Sequence, residues 1–205
     1  MSKDRFSSPQ LVLGSTSRYR KELLERLRVP FMCRAPEVDE TPQPDETPRA
    51  LAERLALAKA HAVAQQLRAE GLDDAVVIGS DQVADLHGMA IGKPGDHARA
   101  LTQLQAMRGQ TVVFHTAIAV IRPSTGFVAH TVSEVRVQCR ADTTDAELDR
   151  YLQLDHPYDC AGSAKVESLG ITLLDAVHSD DPTALIGLPL IATTRLLRQA
   201  GVSLL

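Results

Sequence analysis

Tryptophan is absent from this chain of 205 residues, and all aromatics together make up 3% of it. A protein that holds single-stranded nucleic acid by stacking bases on aromatic rings needs more than that. Cysteine is scarce too: Cys33, Cys139 and Cys160 stand far apart with no C-x-x-C pair. That excludes a disulfide framework, makes a zinc site a poor expectation and fits a reducing cytoplasm. No run of about 18 apolar residues occurs, and the opening M-S-K-D-R-F-S-S-P-Q lacks the apolar centre of a signal peptide. The expectation is a soluble, cytoplasmic protein without a membrane partner. The net charge is −4 and there is no basic block or tail, which argues against polymeric nucleic acid as a partner. The seven histidines show no i, i+4 pairing. There is no G-x-S-x-G elbow, no G-x-x-x-x-G-K-[ST] loop and no G-x-G-x-x-G. A P-loop kinase and a dinucleotide dehydrogenase are therefore disfavoured.

What is present reads as an ordinary globular protein, 44% apolar and 23% charged. The expected organisation is one α/β domain over residues 1–205, without repeats or linkers. Leu11 to Gly14 reads as a buried strand that empties into Ser15, Thr16 and Ser17, then a helix carrying Leu23, Leu24 and Leu27. Pro30 to Pro36 is expected to be extended. Thr47-Pro48, a hydroxyl cap followed by proline, starts a helix that Gly71 ends. Ala75 to Gly79 is expected as a second strand, ending at Ser80, Asp81 and Gln82, with His87-Gly88 turning a small hairpin. A helix over Asp96 to Met107 comes next. Two long strands, Gln110–Ile121 and Phe127–Arg140, are joined by P-S-T-G. Thr144 and Glu147 form a capping box for a helix to Leu154. Gly170 to Val177 reads as a last strand. The segment from Leu185 reads as a helix with Pro189 near its start and Gly201 beyond its end.

Four clusters are candidates for carrying chemistry, each against the plainer reading of a polar loop or solvated surface charge. Ser15 to Arg20 joins small residues at a helix N-terminus to the arginines Arg18 and Arg20, a natural cradle for phosphate. Glu37, Asp39 and Glu40 form an acidic loop that can hold a hard cation against triphosphate oxygens, although such loops are commonly just solvated. Asp81 at a strand end is a general base or metal ligand, or simply a turn residue. Lys59, in the apolar run L-A-L-A-K-A, and Lys93, locked between Gly92 and Pro94, are cations in unusual settings.

In this order, the motifs S-T-S-R-Y-R (15–20), V-D-E-T-P (38–42), R-L-A-L-A-K-A (54–60), G-S-D-Q-V (79–83) and G-K-P (92–94) resemble those of the Maf nucleoside triphosphate pyrophosphatases. H-P-Y-D-C-A-G-S (156–163), L-G-I-T-L (169–173) and G-L-P-L (187–190) extend the likeness over almost the whole chain. The resemblance implies an elongated, two-lobed mixed sheet flanked by helices, similar to the inosine-triphosphate pyrophosphatases. It also implies cleavage between the α- and β-phosphates with a divalent metal (Mg²⁺, Mn²⁺ or Co²⁺), and it allows a homodimer. Carried over by position, Ser15, Arg20, Lys59 and Lys93 hold the triphosphate. Glu40 serves the metal and Asp81 accepts the proton, with the division between these two carboxylates left open. Within the family the sequence is most similar to the branch acting on 7-methyl-GTP. Tyr19, Gln82 and Glu167 are the positions that separate the branches, and Tyr19 stands where a Trp is expected. A cationic methylated ring gains from an aromatic face such as Tyr19 and from a carboxylate such as Glu167. Two other readings are a dTTP/UTP pyrophosphatase of the same mechanism and a nucleotide-binding regulator of septum formation.

Overall fold

The computed structural model describes residues 9–205, so the reading of the opening segment as lacking a signal peptide falls on residues 1–8 and lies outside them. At its centre is a mixed sheet of seven strands. These are β1 (Gln10–Gly14), β2 (Met32–Arg34), β3 (Ala75–Leu86), β4 (Met89–Ile91), β5 (Thr111–Arg122), β6 (Phe127–Cys139) and β7 (Leu174–Ser179). The order is β2-β1-β3-β5-β6-β7, with β4 paired to β3. β1 runs parallel to both β2 and β3, whereas β3, β5, β6 and β7 alternate antiparallel. Among the described residues, no helix is long and apolar enough to cross a membrane.

The helices are α1 (Arg18–Glu25), α2 (Pro48–Ala69), α3 (His97–Met107), α4 (Asp145–Asp155) and α5 (Leu190–Gln199). Their starts follow local chemistry. Ser17, Thr47, Asp96 and Thr144 each accept a backbone N–H from the first turn, and Thr144 with Glu147 closes the full capping box. One sheet face is covered by α2, whose Leu51, Leu55, Val63 and Leu67 pack on Val12, Val77 and Ile121. On the other face, α1 and α5 bring Leu23, Leu24, Leu196 and Leu197 onto Leu11, Leu13, Val76 and Ile78. Each such buried side chain contributes about 1.5–3 kcal/mol relative to exposure.

Three expectations change. The strand expected to stop at Gly79 continues to Leu86, because β5 pairs with it from Val77 to Asp85 and V-A-D-L can keep the pleat. Asp81 is thus mid-strand, opposite Ala117, rather than at a strand end. The segment expected to be a strand from Gly170 begins instead as a 3-10 turn, Leu169–Leu173, and pairs only from Leu174. Gly170 lies so close over Lys165 that a Cβ would stand 2.6 Å from the Lys165 carbonyl oxygen, a reversal that no straight strand allows. Leu185 to Leu188 is not yet helix: a 3-10 turn (Ala184–Ile186) and Gly187 precede α5. The first N–H groups of α5 are met from a distance by the Asp181 carboxylate, which accepts from Ile191 and Ala192.

Candidate active site

The sheet itself makes the opening. β1 covers one edge of β3 from Ala75 to Gly79 and β4 covers that edge from Ala84 to Leu86. Between them Ser80 to Val83 have no strand neighbour on that side among the described residues, while β5 holds the opposite edge throughout. The chain leaving β1 at Gly14 therefore passes this gap with its hydroxyl residues. The cleft has a volume of about 630 Å³. Ser15, Tyr19, Arg20, Glu40, Lys59, Gln82, Lys93 and Glu167 all line it. Of the expected site residues only Asp81 is not on its surface; it is buried just behind Lys59.

Lys59 reaches Asp81 because α2 lies unusually close to β3. A Cβ on Gly79 would meet the Ala56 carbonyl oxygen at 2.2 Å and the Ala60 nitrogen at 2.6 Å, so only glycine permits this approach. Ala56 and Ala60 supply the small helix face that matches it. The Lys59 ammonium then sits between two carboxylates, 2.6 Å from Asp81 Oδ1 and 2.7 Å from Glu40 Oε1. Lys59 and Asp81 are both buried, and Glu40 is exposed. Partial burial pushes the Glu40 carboxyl up, but the charges of Lys59, Lys93 and Arg20 outweigh this and leave it below its ordinary value. One electrostatic neighbourhood thus contains three cations and two carboxylates drawn from α1, α2, β3 and two loops.

Arg20 is aimed by hydrogen bonds from its own side chain. Its Nε donates to the Gly187 carbonyl at 2.9 Å, and Nη1 donates to Ser15 Oγ at 3.4 Å. Burial pulls the guanidinium below its ordinary value, against the holding effect of Asp81 and Glu40. Ser15 Oγ also accepts the Ser17 N–H at 3.1 Å, which shapes the turn before α1. Gln82 is less free than a base-reading residue needs to be. Its amide nitrogen faces the Thr116 hydroxyl at 2.9 Å and the carbonyls of Ala184 and Leu185 at 3.0 and 3.1 Å. Gln82 therefore fastens the turn that carries Gly187, and only its amide oxygen is left for a ligand.

To several other residues of the site the sequence assigned no role. Ser80 Oγ donates to the Ala117 carbonyl and lies 3.3 Å from Gly187 O, and Thr116 donates to Ala184 O. The pairs that bind them lie 37 and 68 or more residues apart, which no local pattern can reveal. Tyr158, Asp159 and Cys160 line the cleft from the loop after α4. The Tyr19 hydroxyl is 3.3 Å from Asp159 Oδ1, and burial pushes its phenol pKa up despite the Arg18 hydrogen bond. Burial likewise pushes the Cys160 thiol up to about 11, so it stays protonated at neutral pH. Glu37 and Asp39 play no part in the cleft; Asp39 instead accepts the Thr41 N–H.

Chemically, the arrangement joins clustered cations to two carboxylates beside a helix N-terminus, which suits a polyphosphate and a water-activating group in one cleft. Comparisons with known proteins agree with that character. The model of the Maf-like protein family matches residues 10–200. A 7-methyl-GTP pyrophosphatase of Polaromonas sp. (strain JS666) is 59% identical over 198 residues, covering 97% of this chain and 88% of its own. Proteins of the same name from Albidiferax ferrireducens and Burkholderia pseudomallei (strain 1710b) are 56% and 61% identical. They cover 96% and 97% of this chain, and 96% and 91% of their own. A solved HAM1 protein from Coxiella burnetii overlaps 80% of this chain and 98% of its own at 18% identity. Its TM-score of 0.44 is too loose a likeness to bear on the site. The agreement of the family model with relatives of more than half identity, over nearly the full length, leads to one conclusion: this chain belongs to the Maf-like protein family.

Proposed function

We propose that the protein hydrolyses 7-methyl-GTP to 7-methyl-GMP and diphosphate, in the cytoplasm, with one domain over residues 1–205 as the working unit. The observation that carries this reading is Lys59, bridging Asp81 at 2.6 Å and Glu40 at 2.7 Å on the wall of the cleft that also holds Arg20 and Lys93. A triphosphate entering there meets three cations, so the charge that develops on the cleaved anhydride is neutralised without covalent chemistry. Ser15, Arg20, Lys59 and Lys93 hold the triphosphate.

A divalent cation fits the donor set. Lys59 engages one oxygen of Asp81 and one of Glu40, which leaves each carboxylate a second oxygen. Mg²⁺ commonly takes one or two carboxylates and completes its shell with water and substrate phosphates. Asp81 and Glu40 are the residues that would hold such a cation. When bound, it supplies further charge neutralisation on the phosphate oxygens. The protein's own part is to bind, orient and move a proton. The negative charge of the triphosphate draws the Lys59 ammonium towards phosphate, and its partial release from Asp81 frees that carboxylate to accept a proton from water. Towards the base, the Tyr19 ring offers a face to a cationic methylated purine, and the exposed Glu167 offers acceptors for its N–H groups.

The test is diphosphate release by the purified protein with Mg²⁺ or Mn²⁺ from 7-methyl-GTP, GTP, dTTP, UTP and ITP. The highest kcat/KM is expected for 7-methyl-GTP, and EDTA should abolish turnover. A preference for dTTP or UTP contradicts the base assignment, and the absence of turnover with every nucleotide contradicts the reaction.

A further inference from the structure

Arg18 opens α1, whose first turn contains no acidic residue. A second arginine at a positive helix end is unfavourable by itself, and unlike Arg20 it is not turned towards Gly187 and Ser15. Its guanidinium carbon lies 4.7 Å from the centre of the Tyr19 ring, and Nη2 donates to the Tyr19 hydroxyl at 2.7 Å. The other end of the same arrangement is anionic. Asp159 Oδ2 is 3.7 Å from Arg18 Nη2, and Oδ1 is 3.3 Å from the Tyr19 hydroxyl. Arg18, Tyr19 and Asp159 all line the cleft, with the Arg18 and Asp159 side chains 61% and 54% exposed. The ring assigned to the base is therefore already occupied by a cation of the protein and flanked by one of its anions.

We infer that Arg18 and Asp159 are specificity-determining residues that set the charge felt by the base, Arg18 opposing a cationic purine and Asp159 favouring it. This rests on the proposed function, since it concerns the same nucleotide at the same ring. The sign does not depend on which ring face the base takes. A base on the face held by Arg18 must displace one cation with another, and a base on the opposite face meets that cation through the ring. A neutral purine has no net charge to respond. Interactions with the triphosphate are common to both nucleotides and cancel in their ratio. At a wet surface, a unit-charge pair at contact is worth about a five-fold change in affinity, so about three-fold is expected across a ring.

The test compares wild type, Arg18→Gln and Asp159→Asn by the ratio of kcat/KM for 7-methyl-GTP over GTP. Arg18→Gln is expected to raise the ratio about three-fold and Asp159→Asn to lower it about as much. A purely structural role for the pair would move both variants in the same direction, because either substitution breaks the same contact. Shifts in one direction for both, or no shift in either, overturn the inference. Calorimetric Kd values for 7-methyl-GMP and GMP on the same three proteins give the ratio without turnover. The proposed reaction can thus fail in the kinetic assay while the binding ratios still decide the role of Arg18 and Asp159.

Discussion

Asp81→Asn is expected to lower kcat for 7-methyl-GTP about 10³-fold while the Kd for the nucleotide changes by no more than a few-fold. A positioned general base contributes typically about 10² to 10⁴ in rate, and Asn keeps the shape of Asp without its charge or its basicity. The site should survive the change. Asp81 is paired with Lys59, and removing one member of a buried pair is damaging when the other charge is left alone. Here Lys59 still has Glu40 at 2.7 Å, so the variant should fold. Calorimetry for binding and diphosphate release for turnover measure the two quantities separately. A kcat within ten-fold of wild type would remove Asp81 from the chemistry. This variant also separates an enzyme from a nucleotide-binding regulator: the regulator's biological effect would survive Asp81→Asn, and the enzyme's would not.

Gly79→Ala tests the packing that brings the site together. The added methyl would meet the Ala56 carbonyl oxygen at 2.2 Å and the Ala60 nitrogen at 2.6 Å, both main-chain atoms of α2. A flexible side-chain tip could move aside, but a helix backbone anchored by Leu51, Leu55, Val63 and Leu67 cannot do so cheaply. Overpacking of this kind costs about 1–3 kcal/mol and sometimes more, and a contact limited by backbone belongs at the upper end. For a chain of this size about 3 kcal/mol corresponds to a fall in Tm of roughly 10 °C. Thermal unfolding measures it, with Gly92→Ala as the comparison. Among the described residues a Cβ on Gly92 meets nothing within 4 Å, so that change should stay within about 0.5 kcal/mol. Equal Tm shifts for the two variants would contradict the close approach of α2 to β3. Any Gly79→Ala protein that folds should also lose activity, because displacing α2 carries Lys59 away from Asp81.

The helices were legible in the sequence because their signals are local. Thr47-Pro48, Asp96 and the Thr144/Glu147 box announce their own starts, and the apolar period of each segment fixes the face it buries. The long hairpin of β5 and β6 was legible for the same reason, with P-S-T-G between two apolar runs. The failures share the opposite cause. The residues around Asp81 do not by themselves show that β3 runs on unbroken, because the strand is held there by β5, more than thirty residues later. The cap of α5 comes from Asp181 rather than from Pro189 beside the helix. In the site, the motifs pointed to Ser15, Tyr19, Arg20, Glu40, Lys59, Asp81 and Lys93, and the resemblance added Glu167; all of these but the buried Asp81 line one cleft. Gln82 also lines it, but most of its hydrogen bonding is spent on the 184–185 carbonyls, a task visible only once the turn is folded against β3. Arg18 looked like a second phosphate ligand, whereas in the fold it lies over Tyr19.

The proposed reaction breaks the anhydride between the α- and β-phosphates of a methylated guanine nucleotide in this cleft. Its most direct test is ³¹P NMR of 7-methyl-GTP incubated with the protein and Mg²⁺. The expected products are diphosphate and 7-methyl-GMP in equal amounts, with no orthophosphate formed. Orthophosphate together with 7-methyl-GDP, or unchanged 7-methyl-GTP, would contradict it.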